Sequence, residues 1–422
     1  MAALGVACMS WLGLYGFAWN DYENEAQPAM QALLHGHFVQ FAQLAPAYGG
    51  SLLLRAPFAF LASFLGGDSL AVYRAVSIPC LVAAGLLGLL LCSQMRRAGD
   101  TRLARGLALG LCVANPITLR AIELGHAEEL LGASLCVAAV ILAASCPAAG
   151  HGRRALQPRA ILAGVLVGLA IANKEWALIA LGPVLLALRA GRMQMLAAAT
   201  VAAGALMAPI ALLASSFVGA TGGSASSAST IFQPWQVFWF LGRHGALVHG
   251  LFGAPKPGYR TGPSFAGPVS HPLIILCGAA LPLALWWQRR GQATQAPARQ
   301  QGRLAIELPD ALLLLCLLML LRCMLDTWDN VYYTLPLLLS ILAWEVNVFR
   351  RPPAIALCVT VLCWVSFQWL PTVAAPDLQA AFFLCWTTPL AAAMAMRLYL
   401  PGARLPRGAR LATSAAAKAP LA

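Results

Sequence analysis

Long apolar stretches separated by short polar connections run through almost the whole chain. Their length and composition predict helices that cross a membrane, because a full crossing takes about 20 apolar residues. Counting the apolar stretches between these connections gives about twelve transmembrane helices, and a few of them are shorter than a full crossing needs. The spans lie near residues 4–19, 70–92, 104–118, 129–146, 160–172, 177–188, 194–217, 272–288, 309–325, 332–348, 354–370 and 378–396.

The composition agrees with this pattern. Hydrophobic residues make up 60% of the 422-residue chain, charged residues only 10%, and the mean hydropathy is +0.73. A soluble domain of this size does not have such a composition, so the sequence predicts an all-α polytopic membrane protein. We expect one transmembrane domain over residues 1–400 and a disordered basic cytoplasmic tail over 401–422. The first segment lacks a basic n-region and an A-x-A exit, so no cleaved secretory signal is expected.

If the N-terminus is cytoplasmic and the chain crosses the membrane twelve times, basic and acidic residues fall on opposite sides of the membrane. Every Arg-rich connection then faces the cytoplasm, as the positive-inside rule requires, and most of the 15 acidic residues face outside. Both termini are therefore predicted in the cytoplasm, with the plasma membrane as the location. The net charge of +13 follows from this orientation and from attraction to anionic membrane lipids, so no nucleic-acid partner is expected.

Two of the outer connections are long, at about residues 20–69 and 218–271. The first holds an amphipathic run at 27–44 and an apolar piece at 52–65 that contains Arg55 and Pro57. These features predict amphipathic helices that lie in the membrane interface or re-enter it. The second connection opens with a Gly/Ser/Ala run expected to be mobile, and aromatic residues typical of the headgroup level follow it.

Three carboxylates follow the first apolar segment, at Asp21, Glu23 and Glu25. Residues 1–20 carry no charge, so these acids are predicted at a membrane surface. Carboxylates at the mouth of a membrane cavity can do acid–base chemistry on a lipid-borne substrate. A solvated loop after a helix end would account for the same spacing.

A second polar turn lies between the third and fourth predicted spans, at His126, Glu128 and Glu129. A histidine with two carboxylates can hold a divalent ion. The spacing matches no specific zinc pattern, and acids at a helix start are ordinary partners of the helix dipole. We therefore predict no metal site.

Cations occur at the outer ends of other spans. Lys174 follows the fifth span, where it can pair with Glu175 or extend to the interface. Arg322 stands at helical spacing from Asp326 and Asp329, which permits ion pairs within one helix. An Arg at membrane depth is nevertheless a functional-site candidate, and a ring of such cations suits phosphate binding.

The cysteines lie almost entirely in apolar spans. There they act as small hydrophobic residues, so neither a disulfide framework nor a CxxC metal site is predicted. The chain also has no Gly-rich phosphate loop and no Rossmann signature, which argues against a nucleotide-binding site of either type.

The order of these motifs resembles the GT-C superfamily of integral-membrane glycosyltransferases. Within it, the chain is most similar to family 87, the polyprenyl-phosphate-mannose-dependent mannosyltransferases, over about residues 11–399. The motifs that carry the resemblance are the acidic first outer connection, Tyr48-Gly49, Arg55-Ala56-Pro57, Asn115-Pro116, Gly125-His126, the lone Lys174, and Asp326-Thr327-Trp328-Asp329-Asn330-Val331-Tyr332-Tyr333.

The resemblance implies inverting transfer of a sugar, mannose or a pentose, from polyprenyl phosphate to a lipid or glycan hydroxyl at the outer face. No cofactor is implied. The catalytic base would be Asp21, with Glu25 second; some relatives carry a DxD or ExD pair here, and this chain reads Asp-Tyr-Glu-Asn-Glu. The donor phosphate would be bound by Arg55, Arg120, His126, Lys174 and Arg322. The acceptor or sugar would contact Glu23, Tyr48, Glu128, Glu175, Asp329 and Asn330.

A twelve-span secondary transporter or a lipid-glycan flippase is the alternative. The basic loop at residues 96–102 is similar to one of the major-facilitator carriers. Carriers place polar groups near the bilayer midplane within repeats, whereas here the polar residues gather at one face and no two-fold repeat is seen. This difference favours the transferase.

Overall fold

The computed structural model describes residues 20–147, 156–244, 248–249, 255–256, 258–294 and 305–400, and over these it is almost entirely helical. The predicted span at 4–19 and the predicted tail at 401–422 lie outside these residues. The α-helices are α1 (Asn20–Glu25), α2 (Gln27–Leu34), α3 (Phe38–Leu44), α4 (Gly49–Phe64), α5 (Ser69–Arg97), α6 (Arg102–Val113), α7 (Pro116–Glu123), α8 (Ala127–Ala144), α9 (Pro158–Asn173), α10 (Leu181–Ala187), α11 (Arg192–Leu213), α12 (Ser215–Ser226), α13 (Ala266–Thr294), α14 (Leu308–Leu325), α15 (Leu335–Val348), α16 (Ala354–Trp364), α17 (Leu370–Val373) and α18 (Pro376–Tyr399).

Nine helices in the described part of the chain are long and apolar enough to cross a membrane. The chain is therefore a multi-pass, all-α membrane protein, as its composition indicates. The number twelve stays a prediction. The spans expected at 160–172 and 177–188 correspond to shorter apolar helices, α9 and the segment Glu175–Ala187, which starts as a 3-10 helix over Glu175–Ala180.

Three of these helices form the centre of the bundle. Of the 18 most apolar consecutive residues in each segment, 78% are buried in α8, 72% in α14 and 89% in Val331–Val348. The last segment combines a short 3-10 helix (Val331–Thr334) with α15. By contrast, only 11% of α11 is buried. The polar groups at the ends of the central helices are therefore enclosed by protein.

The third predicted span is broken into α6 and α7 at Asn115. The Asn115 side chain accepts a hydrogen bond of 2.9 Å from the Ile117 backbone N–H, and Pro116 occupies the first position of α7. Asparagine as N-cap and proline at the first helical position are a favourable helix start, so the chain begins a new helix here. Gly125, at a φ of +94°, then turns the chain into α8.

The connection at residues 20–69, predicted from the sequence to face outside, forms four helices, α1 to α4. Helix α4 continues through Pro57 for 16 residues and buries one face, which includes Arg55. Apolar side chains elsewhere on these helices are open: Phe64, at the end of α4, is 88% exposed, and Phe38, at the start of α3, is 56% exposed.

In the second long connection, at residues 218–271, much of the Gly/Ser/Ala run expected to be mobile belongs to helix α12. The run is held from outside, since α12 contacts α3 and α13, and Ser216 Oγ donates to the Gln43 carbonyl at 3.2 Å. Short strands follow, β1 (Ile231–Phe232), β2 (Arg243–His244), β3 (Val248–His249), β4 (Pro255–Lys256) and β5 (Arg260–Thr261), with β5 antiparallel to β1 and β2, and β3 antiparallel to β4. A 3-10 turn covers Trp239–Leu241, and a π-helical segment, Val365–Trp369, joins α16 to α17.

Candidate functional site

Charged side chains from five segments meet at one end of the central helices. They come from α1, α4, the start of α8, the turn after α9, and the end of α14. We call this group the charged cluster; it consists of Asp21, Arg55, His126, Glu128, Glu129, Lys174 and Arg322.

Glu128 is the centre of the charged cluster. Its side chain is 1% exposed, and its two carboxylate oxygens face three cationic side chains. His126 Nδ1 lies 2.8 Å from Oε1, Lys174 Nζ 3.4 Å from Oε1, and Arg55 Nη2 3.6 Å from Oε2. A buried carboxylate is tolerated only with such partners, so the four side chains depend on one another.

Glu129, which is fully buried, binds the cations on the other side. Its Oε1 lies 3.3 Å from Arg322 Nη2 and 3.8 Å from Lys174 Nζ. The Arg322 guanidinium also stacks between two rings, 4.7 Å from the centroid of Trp176 and 4.3 Å from that of Tyr333. These contacts hold the guanidinium in one orientation and compensate its charge.

His126 joins the buried part of the cluster to its surface. Its Nδ1 contacts Glu128 and its Nε2 lies 3.2 Å from Asp21 Oδ2, while the ring stacks on Tyr332 at 4.0 Å. Only the protonated imidazolium can donate from both ring nitrogens. Burial by itself lowers the pKa of His126, but the Glu128 charge and the hydrogen bonds to Asp21 and Glu128 outweigh it and raise the pKa to about 9. His126 is therefore a cation at neutral pH.

Asp21 is the member of the cluster that reaches the surface. Its side chain is 39% exposed, and only Oδ2 is occupied, by His126. Among the described residues Oδ1 has no hydrogen-bond partner. One oxygen is thus held by a buried cation, and the other can accept a proton from a bound molecule.

Glu25 lies nearby in a different setting. It is exposed, and its Oε2 accepts a hydrogen bond of 2.7 Å from the Tyr48 hydroxyl. The Tyr48 ring in turn lies 4.1 Å from Lys174 Nζ. Burial, followed by the charges of Glu128 and Glu25, holds the pKa of Tyr48 well above its usual value, so Tyr48 stays a hydrogen-bond donor.

Close backbone approaches set these positions. The Asp21 N–H donates to the Leu124 carbonyl at 3.2 Å, and a Cβ on Gly125 would lie 2.5 Å from the Tyr22 nitrogen. Glycine at position 125 therefore serves both the left-handed turn and the docking of α1 beside His126. On the other side, Asn173 joins two helices, accepting from Ser51 Oγ and donating to the Glu128 carbonyl, each at 2.8 Å.

Five further site residues expected from the sequence are not members of the charged cluster. Arg120 pairs with Glu123 at 2.5 Å, with both side chains about one-third exposed, and Glu23 is exposed. Glu175 accepts a hydrogen bond from Ser224, and Asn330 donates to the Tyr332 hydroxyl. Asp329 is fully buried, and burial followed by the charge of Asp326 raises its pKa well above the usual range.

Helix α14 ends at Leu325, so the helical spacing of Arg322, Asp326 and Asp329 does not apply beyond that point. Arg322 forms its ion pair with Glu129, and Asp326 lies 3.3 Å from His271 Nε2. The ion pairs of Lys174 are with Glu128 and Glu129.

The catalytic, donor and acceptor residues expected from the sequence do not include Glu129, Asn173 and Tyr332, although Glu129 is named there as a possible metal ligand. Glu129 carried a signal, since two adjacent acids at the start of an apolar span cannot both face solvent once the span is central. Asn173 also stands out as an amide that ends an apolar helix directly before Lys174. Tyr332 carried no such signal, because its stacking on His126 depends on the packing of α15 against α8.

The buried charges of the cluster do not balance. Arg55, Lys174, Arg322 and the His126 imidazolium face two fully buried carboxylates, and the third carboxylate, Asp21, is partly exposed. Arg55 Nη1 is buried and has no hydrogen-bond partner among the described residues. An excess of buried positive charge with a free guanidinium donor favours the binding of an anion.

The described residues contain no group of three or more His, Cys, Asp and Glu side chains arranged to hold a metal ion. At the position considered for one, His126 Nδ1 is bonded to Glu128, and Glu129 is paired with Arg322. The cysteines of the described residues are free thiols.

The protonation of His126 predicts a pH dependence of stability. Its pKa is about 9 in the folded protein and near 6.5 when unfolded, so folding binds the proton more tightly. The stabilisation, on the order of 3 kcal/mol, is fully present below pH 6.5 and is lost as the pH rises through 9. We expect the thermal midpoint of the wild type to fall over this window more than that of His126→Gln.

The control for that measurement is His35→Gln, because His35 is exposed and lies outside the cluster. This variant should follow the wild-type midpoint across the pH range. Equal pH profiles for the wild type and His126→Gln would contradict a buried imidazolium.

Comparisons of the chain with protein-family models and with curated proteins return no match.

Proposed function

We propose that the protein is an inverting glycosyltransferase that moves a sugar from a polyprenyl phosphate to a hydroxyl of a lipid or glycan acceptor. The observation that carries the proposal is the charged cluster, in which one accessible carboxylate stands beside an excess of buried cations. A phosphate leaving group and a hydroxyl nucleophile require these two kinds of group.

In the proposed reaction the acceptor hydroxyl attacks the anomeric carbon of the donor sugar. The new bond joins the acceptor oxygen to that carbon, the bond from that carbon to the phosphate oxygen breaks, and the hydroxyl proton passes to Asp21. A sugar hydroxyl is a poor nucleophile, so removal of its proton during attack lowers the barrier.

The leaving group is a phosphate monoester, which is weakly basic and needs no strong general acid. It does need positive charge to balance the charge that develops on its oxygens. Arg55, Lys174 and Arg322 supply that charge from buried positions, where electrostatic interactions are screened less than in water. Arg55 Nη1 is the buried donor that such a phosphate would engage.

His126 acts in this proposal as a positioning residue. Its imidazolium bonds Oδ2 of Asp21 and is itself held by Glu128 and by the stack on Tyr332. This would hold the carboxylate in place and leave Oδ1 free for the acceptor hydroxyl, and it would add a fourth cation near the proposed phosphate site.

The proposal includes the sidedness of the molecule. Twelve spans of GT-C type, with both termini in the cytoplasm, would place the charged cluster at the outer face of the plasma membrane. The polyprenyl chain and the membrane lipids would then flank the apolar helices, and no cofactor would take part.

The test is transfer by the purified protein in lipid nanodiscs. Radiolabelled polyprenyl-phosphate mannose and its arabinose analogue are each supplied with an extracted pool of lipid-glycan acceptors. We expect labelled product from one of the two donors at a rate proportional to protein. Absence of product from both, together with flux of a labelled glycolipid or solute across proteoliposomes, would replace the transferase with the transporter or flippase.

A further inference from the structure

An open groove of about 410 Å³ lies between helices α16 and α18. Its walls include Ala354, Ile355 and Cys358 from α16, and Trp386 and Leu390 from α18. Cys358 is exposed, so the groove opens to the surroundings of the helix bundle. The walls are apolar, and in a multi-pass membrane protein such a groove suits the hydrocarbon chain of a lipid.

The groove begins at the end of the bundle that is remote from the charged cluster. Helix α15 starts directly after Tyr333 and Thr334, and the Tyr333 carbonyl accepts a hydrogen bond from Arg322 of the cluster at 3.2 Å. The 14 residues of α15 then carry the chain about 21 Å away, and α16 starts after a short turn at Ala354. Ala354 therefore marks an end of the groove at the opposite face of the membrane.

Two arginines lie at this end, and two aromatic rings connect them. The Arg351 Cζ atom lies 4.6 Å from the centroid of the Phe349 ring, and the Arg397 Cζ atom lies 5.2 Å from that of Trp344. The two rings pack edge to face, with their centroids 5.7 Å apart. We call these four residues the arginine shelf. The rings hold each guanidinium in place without neutralising its charge.

The arginine shelf adjoins the groove through both helices. Arg351 Nη2 lies 3.9 Å from Glu345 Oε1, and the same oxygen accepts a hydrogen bond of 3.0 Å from the backbone N–H of Ile355, a groove residue. On α18, Arg397 follows the groove residue Leu390 by seven positions, which places both on one face, about 10 Å apart along the axis. The two guanidiniums therefore stand beyond the same end of the groove.

The neighbouring acids leave the arginine shelf positively charged. Glu345 is fully buried, and its two oxygens accept hydrogen bonds from two backbone N–H groups at the start of α16. Arg351, only loosely paired with it, remains 52% exposed. The charge of Asp310 acts on Arg397, but Asp310 is itself paired with Arg289 at 2.6 Å. The shelf can therefore accept a further anion.

We propose that the groove and the arginine shelf together bind one anionic phospholipid. An acyl chain would lie in the groove, and the phosphate would contact Arg351 and Arg397. Basic pockets between membrane helices recognise anionic headgroups in this way. The positive group of a zwitterionic lipid would be repelled by the same arginines, and a free phosphate would leave the groove unfilled. The site is separate from the proposed transfer reaction, since it lies at the other end of the bundle.

Lipid-dependent stability of the full chain tests this site. The protein is purified in a nonionic detergent and stripped of lipid, and its thermal midpoint is followed as lipid is added. We expect phosphatidylglycerol to raise the midpoint at a concentration at least about 10-fold lower than phosphatidylcholine with the same acyl chains. Glycerol 3-phosphate, which has the phosphate but no acyl chain, should give no rise.

Three variants assign the effect to the groove and to the shelf. In Arg351→Gln/Arg397→Gln the phosphatidylglycerol concentration for a half-maximal rise should increase by about 10-fold or more. Cys358→Trp, at an exposed position, should have the same effect because it fills the groove. Arg102→Gln is the matched control, since Arg102 is an exposed arginine of the basic loop at 96–102, and it should behave as the wild type.

Four results would overturn the proposal. Equal rises with the two lipids, or an equal loss of response in Arg102→Gln, would show general attraction of lipid to a basic surface without a site. An equal rise with glycerol 3-phosphate, or an unchanged response of Cys358→Trp, would show that no acyl chain occupies the groove. These measurements use no sugar donor, so their outcome is independent of whether the protein is a glycosyltransferase.

Discussion

Replacing Asp21 by asparagine is expected to lower kcat by about 10²–10⁴-fold, with little change in the thermal midpoint. The asparagine side chain has nearly the same shape and can accept the hydrogen bond from His126, but it cannot take a proton at neutral pH. Because the buried His126 keeps its ion pair with Glu128, the substitution leaves no buried charge without a partner. The measurement is single-turnover transfer from the labelled donor that supports activity.

Glu25 is the competing candidate for the base, and Glu25→Gln is therefore tested beside Asp21→Asn. Glu25 accepts a hydrogen bond from Tyr48, and glutamine can accept it too. We expect this variant to keep at least about a tenth of the wild-type kcat. The control is Asp68→Asn, a change at an exposed N-cap that asparagine can also fill, and it should keep all of it. If only Glu25→Gln abolished transfer, the protein would still be a glycosyltransferase, but its catalytic base would be Glu25 and not Asp21.

The protonation state of His126 gives a second criterion for identifying the catalytic base. His126 carries its proton up to about pH 9, so it cannot serve as the base at neutral pH and instead orients Asp21. Replacement of His126 by Gln should then lower kcat less than Asp21→Asn does. A larger loss with His126→Gln than with Asp21→Asn would assign the proton transfer to the histidine.

The class of fold and several members of the charged cluster follow from the sequence. Apolar periodicity and composition give the helical membrane protein, and polar residues at span ends single out Asp21, His126, Glu128, Lys174 and Arg322. The reason is physical: a charge next to an apolar span is costly unless it faces the bundle interior and finds partners. The sequence therefore indicates which residues must meet, although it does not say which pairs form.

The pairing depends on packing that the local sequence does not encode. Arg322 bonds Glu129 on another helix instead of an acid on its own turn, because α14 ends at Leu325 and α8 packs against it. Arg120 appeared equivalent to the other cations, yet it lies on α7 and pairs locally with Glu123. The Gly/Ser run at α12 reads as a flexible segment in isolation, and contacts with α3 and α13 make it helical.

Replacement of Glu128 by glutamine is expected to destabilise the protein by about 3–5 kcal/mol, the largest effect on folding that we predict. Glutamine keeps the volume but removes the charge that faces His126, Lys174 and Arg55, and those cations remain buried. The neutral side chain would also fail to hold the His126 proton, so the pH dependence of the thermal midpoint should shrink. The measurement is the unfolding midpoint in nanodiscs at pH 6.5 and 9.

A second substitution, Lys174→Met, tests whether the instability of Glu128→Gln comes from the loss of charge balance. Added to Glu128→Gln it removes one uncompensated cation, so the double variant should be more stable than the sum of the single changes predicts. Because Lys174 also pairs with Glu129, recovery will be partial. Additive effects of the two substitutions would show that the charges of Glu128 and Lys174 do not compensate each other. The proposed anion site would then consist of Arg55 and Arg322 alone.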